Sequence, residues 1–162
     1  MEKFIFNEEN ANLAKQILTK YPPARKKSAI LPLLHLAQKQ NNGWLSIPAL
    51  EHVGDYLELP YVKVYEIASF YSMFNLKPIG KYHIQVCGTT PCMLCGSKEI
   101  VSTLEKTLEI SMGQTTNDGR FSLVEVECVG GCVKAPVIQI NKDQYENITP
   151  AQVEEIIQKL KR

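Results

Sequence analysis

Two apolar, alternating runs each lead directly into a cysteine pair, and this feature constrains the fold more than any other. The first pair is Cys87 and Cys92, in Cys87-Gly88-Thr89-Thr90-Pro91-Cys92. The second is Cys128 and Cys132, in Cys128-Val129-Gly130-Gly131-Cys132. A fold that uses all four must bring two strand ends together from distant stretches of chain. Four thiolates meeting there form a soft, electron-rich pocket of the kind that zinc and iron–sulfur centres occupy.

Composition narrows the context. Apolar residues make up 44% of the 162, enough for an ordinary core, and the net charge is +1. That balance gives no basic footprint for nucleic acid. No apolar run approaches the ~20 residues that cross a bilayer, so no direct membrane insertion is expected. The opening Met1-Glu2-Lys3-Phe4-Ile5-Phe6 has neither a secretory apolar core nor transit-peptide character. The expected setting is cytoplasmic, as a free protein or on the cytoplasmic face of something larger. Five cysteines, an odd number, then favour metal binding over disulfides.

The chain reads in two textures. Residues 7–75 read as helical throughout. Leu13, Ala14, Ile17, Leu18 and Tyr21 recur at helical spacing, with Asn7 as a cap and Pro22-Pro23 as a stop. A greasy second helix runs from about Ser28 to Asn42, with Pro32 either near its first turn or at a kink. A third starts at Ser46. A fourth, starting with Pro60, carries Tyr61, Val64, Tyr65, Ala68 and Tyr71. From Lys81 the pattern becomes strand (His83 to Cys87), helix (96–110), strand (Phe121 to Val126), strand (Val137 to Ile140), a short return strand near Gln144-Tyr145, and a last helix. Thr149, Pro150 and Gln152 sign the start of that helix as a capping box. The expected boundary falls within 76–81, where Lys77-Pro78-Ile79-Gly80 serves as a hinge-like link. It divides the chain into a helical bundle, 1–78, and an α/β sandwich, 79–162.

The spacing within the pairs bears on the metal. Structural zinc usually takes Cys-x-x-Cys knuckles that close on one ion. Here four residues separate the first two cysteines and three separate the second two. Wider loops can wrap a diamond of two irons and two sulfides, each pair holding one iron. Gly88, Gly130 and Gly131 let backbone amides turn inward, and Thr89 and Thr90 can supply further donors to the sulfurs. Structural zinc and four unligated buried thiols stay open on spacing alone. None of His35, His52 and His83 lies in either loop, so a mixed Cys/His centre is not expected. His35 and His83 read as satisfied structural residues. Cys92-Met93-Leu94-Cys95 is formally a thioredoxin-type redox pair, but that reading leaves Cys128 and Cys132 without a role. Cys95 reads as a bystander thiol.

At these loops the chain resembles a known family. Cys87 to Leu94, Glu127 to Cys132 and Ala135-Pro136 are similar to the NuoE-type iron–sulfur subunit of respiratory NADH:quinone oxidoreductase, complex I. The similarity extends upstream through Ala68-Ser69-Phe70-Tyr71-Ser72-Met73-Phe74 and Gly43-Trp44-Leu45. The resemblance implies an α+β chain: an N-terminal helical bundle followed by a thioredoxin-like α/β domain carrying one 2Fe-2S cluster. The family's ligands fall on Cys87, Cys92, Cys128 and Cys132. It also implies an electron-transfer role beside a partner subunit that binds FMN and NADH, with other peripheral-arm subunits around it, at the cytoplasmic face of a bacterial inner membrane. This chain has no Gly-rich nucleotide loop after a strand, which agrees with both nucleotides binding the partner. Equivalent subunits of NAD-linked hydrogenases and formate dehydrogenases are similar too. A zinc-stapled interaction module is the reading from another class.

Overall fold

The computed structural model describes residues 3–162. The chain divides into two compact units, the first ending at Pro78 and the second running Ile79–Arg162. Each has a core of its own.

The first unit is helical: α1 (Glu8–Thr19), α2 (Ile30–Gln40), α3 (Ile47–Leu57) and α4 (Tyr61–Phe70). Helix α1 starts where the Asn10 N–H donates to the Asn7 side chain at 2.8 Å. Its buried side is Ala14 with Asn10, while Leu13, expected on the inner face, is 37% exposed. Asn10 tolerates burial because its amide donates to Gln40 Oε1 at 2.7 Å, so a polar bond between helices replaces an apolar contact. Pro32 lies in the first turn of α2, where an N–H would have no partner within the helix. A 3₁₀ stretch, Pro23–Ala29, leads into it. Ser46 caps α3. Pro60 is the cap of α4 and not its first residue. Tyr65 and the C-cap Tyr71 are exposed, and Val64 and Ala68 do the packing. Leu33, Leu34, Leu45, Leu50, Val53 and Leu57 fill the centre, and burial of each large aliphatic side chain stabilises by about 1.5–3 kcal/mol. His35 lies exposed on α2, against the Phe74 ring.

The second unit is a four-stranded sheet with helices packed on one face. Its elements are β1 (Tyr82–Cys87), α5 (Thr90–Leu94), α6 (Ser97–Leu108), β2 (Phe121–Val126), β3 (Val137–Ile140), β4 (Asp143–Glu146) and α7 (Pro150–Lys161). The strand order is β2-β1-β3-β4. Strands β1 and β2 are parallel, which the crossover through α5 and α6 allows; β3 runs antiparallel to both β1 and β4. Alternation sends Ile84, Val86, Leu123, Ile138 and Ile140 to one face. There they meet Ile100 and Leu104 of α6 and Val153 and Ile157 of α7. The capping box of α7 is formed as its sequence announces. At the other end of α7, the Arg120 guanidinium donates to the carbonyls of Leu160 and Lys161. His83, expected to be satisfied, has its Nδ1 buried with no hydrogen-bond partner among the described residues, and burial lowers its pKa.

Gly80 behaves differently from a hinge. It is buried, and a Cβ there would lie 2.7–2.9 Å from backbone atoms of Arg120 and Phe121. Its N–H donates to Ser122 Oγ at 2.6 Å. The missing side chain serves close approach to β2, which pins the entry to β1.

Candidate metal centre

Cys87 is the last residue of β1. Being one position past Val86, it points to the face away from α6 and α7. The parallel ladder continues one step further, where the Gly88 N–H donates to the Val126 carbonyl, and then the chain turns into α5. Cys92 sits inside this five-residue helix, which has no clear sequence signal because it is short and carries Pro91. Cys128 and Cys132 follow β2 in a loop that ends in a 3₁₀ turn, Cys132–Lys134. This loop is tied to β4 by the Lys134–Glu146 ion pair at 2.9 Å and by the Asn147 N–H donating to the Lys134 carbonyl. The parallel pairing of β1 with β2 therefore brings the two cysteine loops out at the same end of the sheet.

The two pairs sit in different surroundings. Cys87 and Cys92 are each 1% exposed and pack with Val137, Val129 and Ala135. Cys128 and Cys132 are exposed, with their sulfurs 3.2 Å apart. Donors converge on the sulfurs. Gly130, at φ +89°, donates its N–H to Cys128 Sγ at 3.3 Å. The Thr89 hydroxyl lies 3.2 Å from Cys87 Sγ. Thr90, the other threonine proposed from sequence, is exposed. A Cβ on Gly131 would lie 2.8 Å from Gln144 Nε2 and 2.9 Å from Val137 Cγ2, so a larger residue here would have to displace the Gln144 and Val137 side chains.

The acidities follow from this geometry. Burial pushes the Cys87 thiol up, but hydrogen bonds from the Thr89 hydroxyl and amide, from Cys92 and from the Val129 amide outweigh it and leave its pKa lowered. Cys92 is pushed up to about 11 by burial, by its bond to Cys87 and by the charges of Cys87 and Cys132. Cys132 is raised, first by its hydrogen bond with Cys128. Each thiol would lose its proton on binding metal.

The donor set fits an iron–sulfur cluster. It consists of sulfur alone, in two pairs, with amides and a hydroxyl aimed at the ligand atoms, as a group of net negative charge requires. The two pairs do not close on one point: among the described residues no group of three or more His, Cys, Asp or Glu is arranged to hold a metal ion. Cys95 lies apart in character: it is exposed at the C-terminal end of α5, whereas Cys92 is buried.

A mixed sheet with a parallel pair, two strand-end cysteine loops and helices on one face define a thioredoxin-like iron–sulfur protein. The chain belongs to the thioredoxin-like 2Fe-2S ferredoxin family, whose sequence profile matches residues 14–161. It is 57% identical over 158 residues to the E subunit of NADH-quinone oxidoreductase from Rickettsia bellii, covering 98% of this chain and 95% of that one. It is 58% identical to the protein of the same name from Rickettsia felis, over 95% of this chain and 92% of that one. Among solved structures, an NAD+-reducing NiFe-hydrogenase in the air-oxidized state superimposes with a TM-score of 0.72 at 26% identity. The match covers 82% of this chain but only 22% of the hydrogenase chain.

Proposed function

We propose that this chain is the electron-transfer iron–sulfur subunit of an NADH:quinone oxidoreductase. The observation that carries the reading is its near-full-length similarity, at 57–58% identity, to subunits named for that complex. Cys87, Cys92, Cys128 and Cys132 are assigned as the ligands of one 2Fe-2S cluster, Cys87 and Cys92 on one iron, Cys128 and Cys132 on the other. When bound, the cluster supplies a site that takes up and returns one electron. The chain's own residues do the rest. Val137, Val129 and Ala135 wall off the Cys87 and Cys92 sulfurs from water. Amides of Val129, Gly130 and Val137, with Thr89, offset the negative charge on sulfur.

FMN and NADH are assigned to a partner subunit, and other peripheral-arm subunits complete the surroundings, at the cytoplasmic face of a bacterial inner membrane. No described helix is long and apolar enough to cross a membrane. Residues 79–162 are taken as the cluster domain and 1–78 as a docking domain. The outer sides of both ligand segments suit a protein partner: Val133 is wholly exposed, and Leu94 is 78% exposed. In the first unit, a groove of about 380 Å³ between Trp44, Ile47, Tyr61 and Tyr65 offers a second apolar surface.

The test is chemical analysis of the full chain purified without oxygen. Two irons and two acid-labile sulfides per chain, with an EPR signal on dithionite reduction, are expected. One zinc and no sulfide would sink the assignment in favour of a zinc-stapled module. A second reading, an equivalent subunit of an NAD-linked hydrogenase, is favoured by the structural likeness to the hydrogenase chain. Purification of the native complex separates the two: NADH should reduce a quinone, and hydrogen should not replace NADH as donor.

A further inference from the structure

We infer that Thr89 is a positioning residue that sets the reduction potential of the centre through its hydrogen bond to the Cys87 sulfur. The inference rests on the cluster assignment above. Thr89 occupies the N-cap of α5. A threonine there ordinarily turns its hydroxyl inward to accept from an N–H of the first helical turn. This one makes no side-chain capping bond. Its hydroxyl lies instead 3.2 Å from Cys87 Sγ. The backbone at this cap is served without the hydroxyl, since the Met93 N–H donates to the Thr89 carbonyl.

The direction of the bond follows from the ligand state. A metal-bound thiolate carries no proton, so the hydroxyl must donate and the sulfur accept. Among the described residues, Thr89 is the one side chain other than a cysteine that bonds to any of the four sulfurs. The Gly130 N–H on Cys128 Sγ is a backbone donor that no substitution short of proline removes. The redox step is the uptake of one electron from an external reductant, with no bond made or broken and no proton taken up. The added negative charge spreads onto the sulfurs, and a donor aimed at one of them stabilises the reduced form more than the oxidised form.

The experiment is a dithionite-poised EPR titration of the full-length, cluster-loaded protein as wild type, Thr89→Val and Thr89→Ser, with resonance Raman spectra of the oxidised forms. Valine keeps the size and removes the donor; serine restores it. Thr89→Val should bind its electron about tenfold more weakly, a downward shift of about 59 mV for a one-electron couple, and should shift an iron–thiolate stretching band. Thr89→Ser should return both towards wild type. Thr89→Val with a full complement of iron and sulfide and an unmoved potential overturns the inference, as does a Thr89→Ser protein that behaves like Thr89→Val. If valine prevents loading, Thr89→Ala takes the same measurement, and failure of both to load while serine loads normally shows a structural role and overturns it too. A wild-type protein without iron and sulfide marks a different failure, that of the cluster assignment itself.

Discussion

On the proposed assignment the two cysteine loops serve one centre from opposite surroundings. The first grows out of β1, folds at once into α5 and buries both its sulfurs. The second follows β2 as irregular backbone, turns through Gly130 in the left-handed region and leaves both its sulfurs exposed. The contrast teaches that the centre is half core and half surface. One pair is buried in a small cluster of its own with Val137, on the face of the sheet away from α6 and α7. The other is held by a few backbone bonds and one ion pair, and stays within reach of solvent and of a partner.

The largest effect should erase the contrast. Replacing any one of Cys87, Cys92, Cys128 or Cys132 with alanine should abolish or gravely weaken cluster binding, because a missing thiolate opens one iron's coordination wherever the sulfur sits. Iron and sulfide analysis with visible spectra checks this. A variant that keeps the normal spectrum and stoichiometry refutes the assignment of that ligand.

Without the cluster, the contrast should return. In apoprotein kept reduced, Cys92→Ala empties a packed site beside Val137 and should cost about 1–2 kcal/mol of stability by the usual cavity argument. Cys128→Ala removes an exposed side chain and should leave the urea midpoint where it was. Equal losses from the two variants would mean that the second loop is packed in solution as firmly as the first.

The next effect belongs to the second loop alone. Gly130 has φ +89°, and a Cβ there would touch nothing within 4 Å. Gly130→Ala therefore meets no steric clash and isolates backbone strain, which should cost about 1 kcal/mol. Because the Gly130 N–H donates to Cys128 Sγ, the variant should also lose its iron faster to a chelator than wild type. An unchanged release rate would show that the loop reaches its bound shape by another backbone path.

These differences are only partly legible in the sequence. The strands and the capping box carry local signals: alternation, and Thr149 with Gln152. They emerge in the structure because nothing distant opposes them. What failed depended on contacts between elements. Leu13 belongs to the apolar pattern of α1 yet is 37% exposed, while the polar Asn10 is buried through its bond to Gln40 of α2. Gly80 reads as a hinge until β2 is laid beside it, when its missing Cβ becomes a packing requirement. Thr89 and Thr90 are equivalent donors on paper. Only the turn into α5 decides that Thr89 meets the sulfur and Thr90 meets water. The unequal burial of the two pairs has no sequence signal at all, since it arises from where Val137 and Ala135 of a later segment fall.

The smallest effect is a pH dependence of the reduced apoprotein, small because neighbouring thiols work against each other. The Cys87 pKa is lowered by folding, despite burial, so the unfolded chain holds that proton longer and stability rises with pH up to the unfolded thiol value near 9. The Cys92 pKa is raised, by burial first, to about 11. Between the unfolded value and about 11 the folded chain holds the proton longer, so stability falls as pH rises through that window. Thermal melts of apoprotein from about pH 7 to about pH 11, run beside Cys92→Ala, should show the two curves converging on the alkaline side as wild type loses its advantage. The difference between the curves reports Cys92 together with the Cys87 thiol that it bonds to. A constant gap across that window would mean that the Cys92 sulfur is wet, and that the first loop is no more closed than the second.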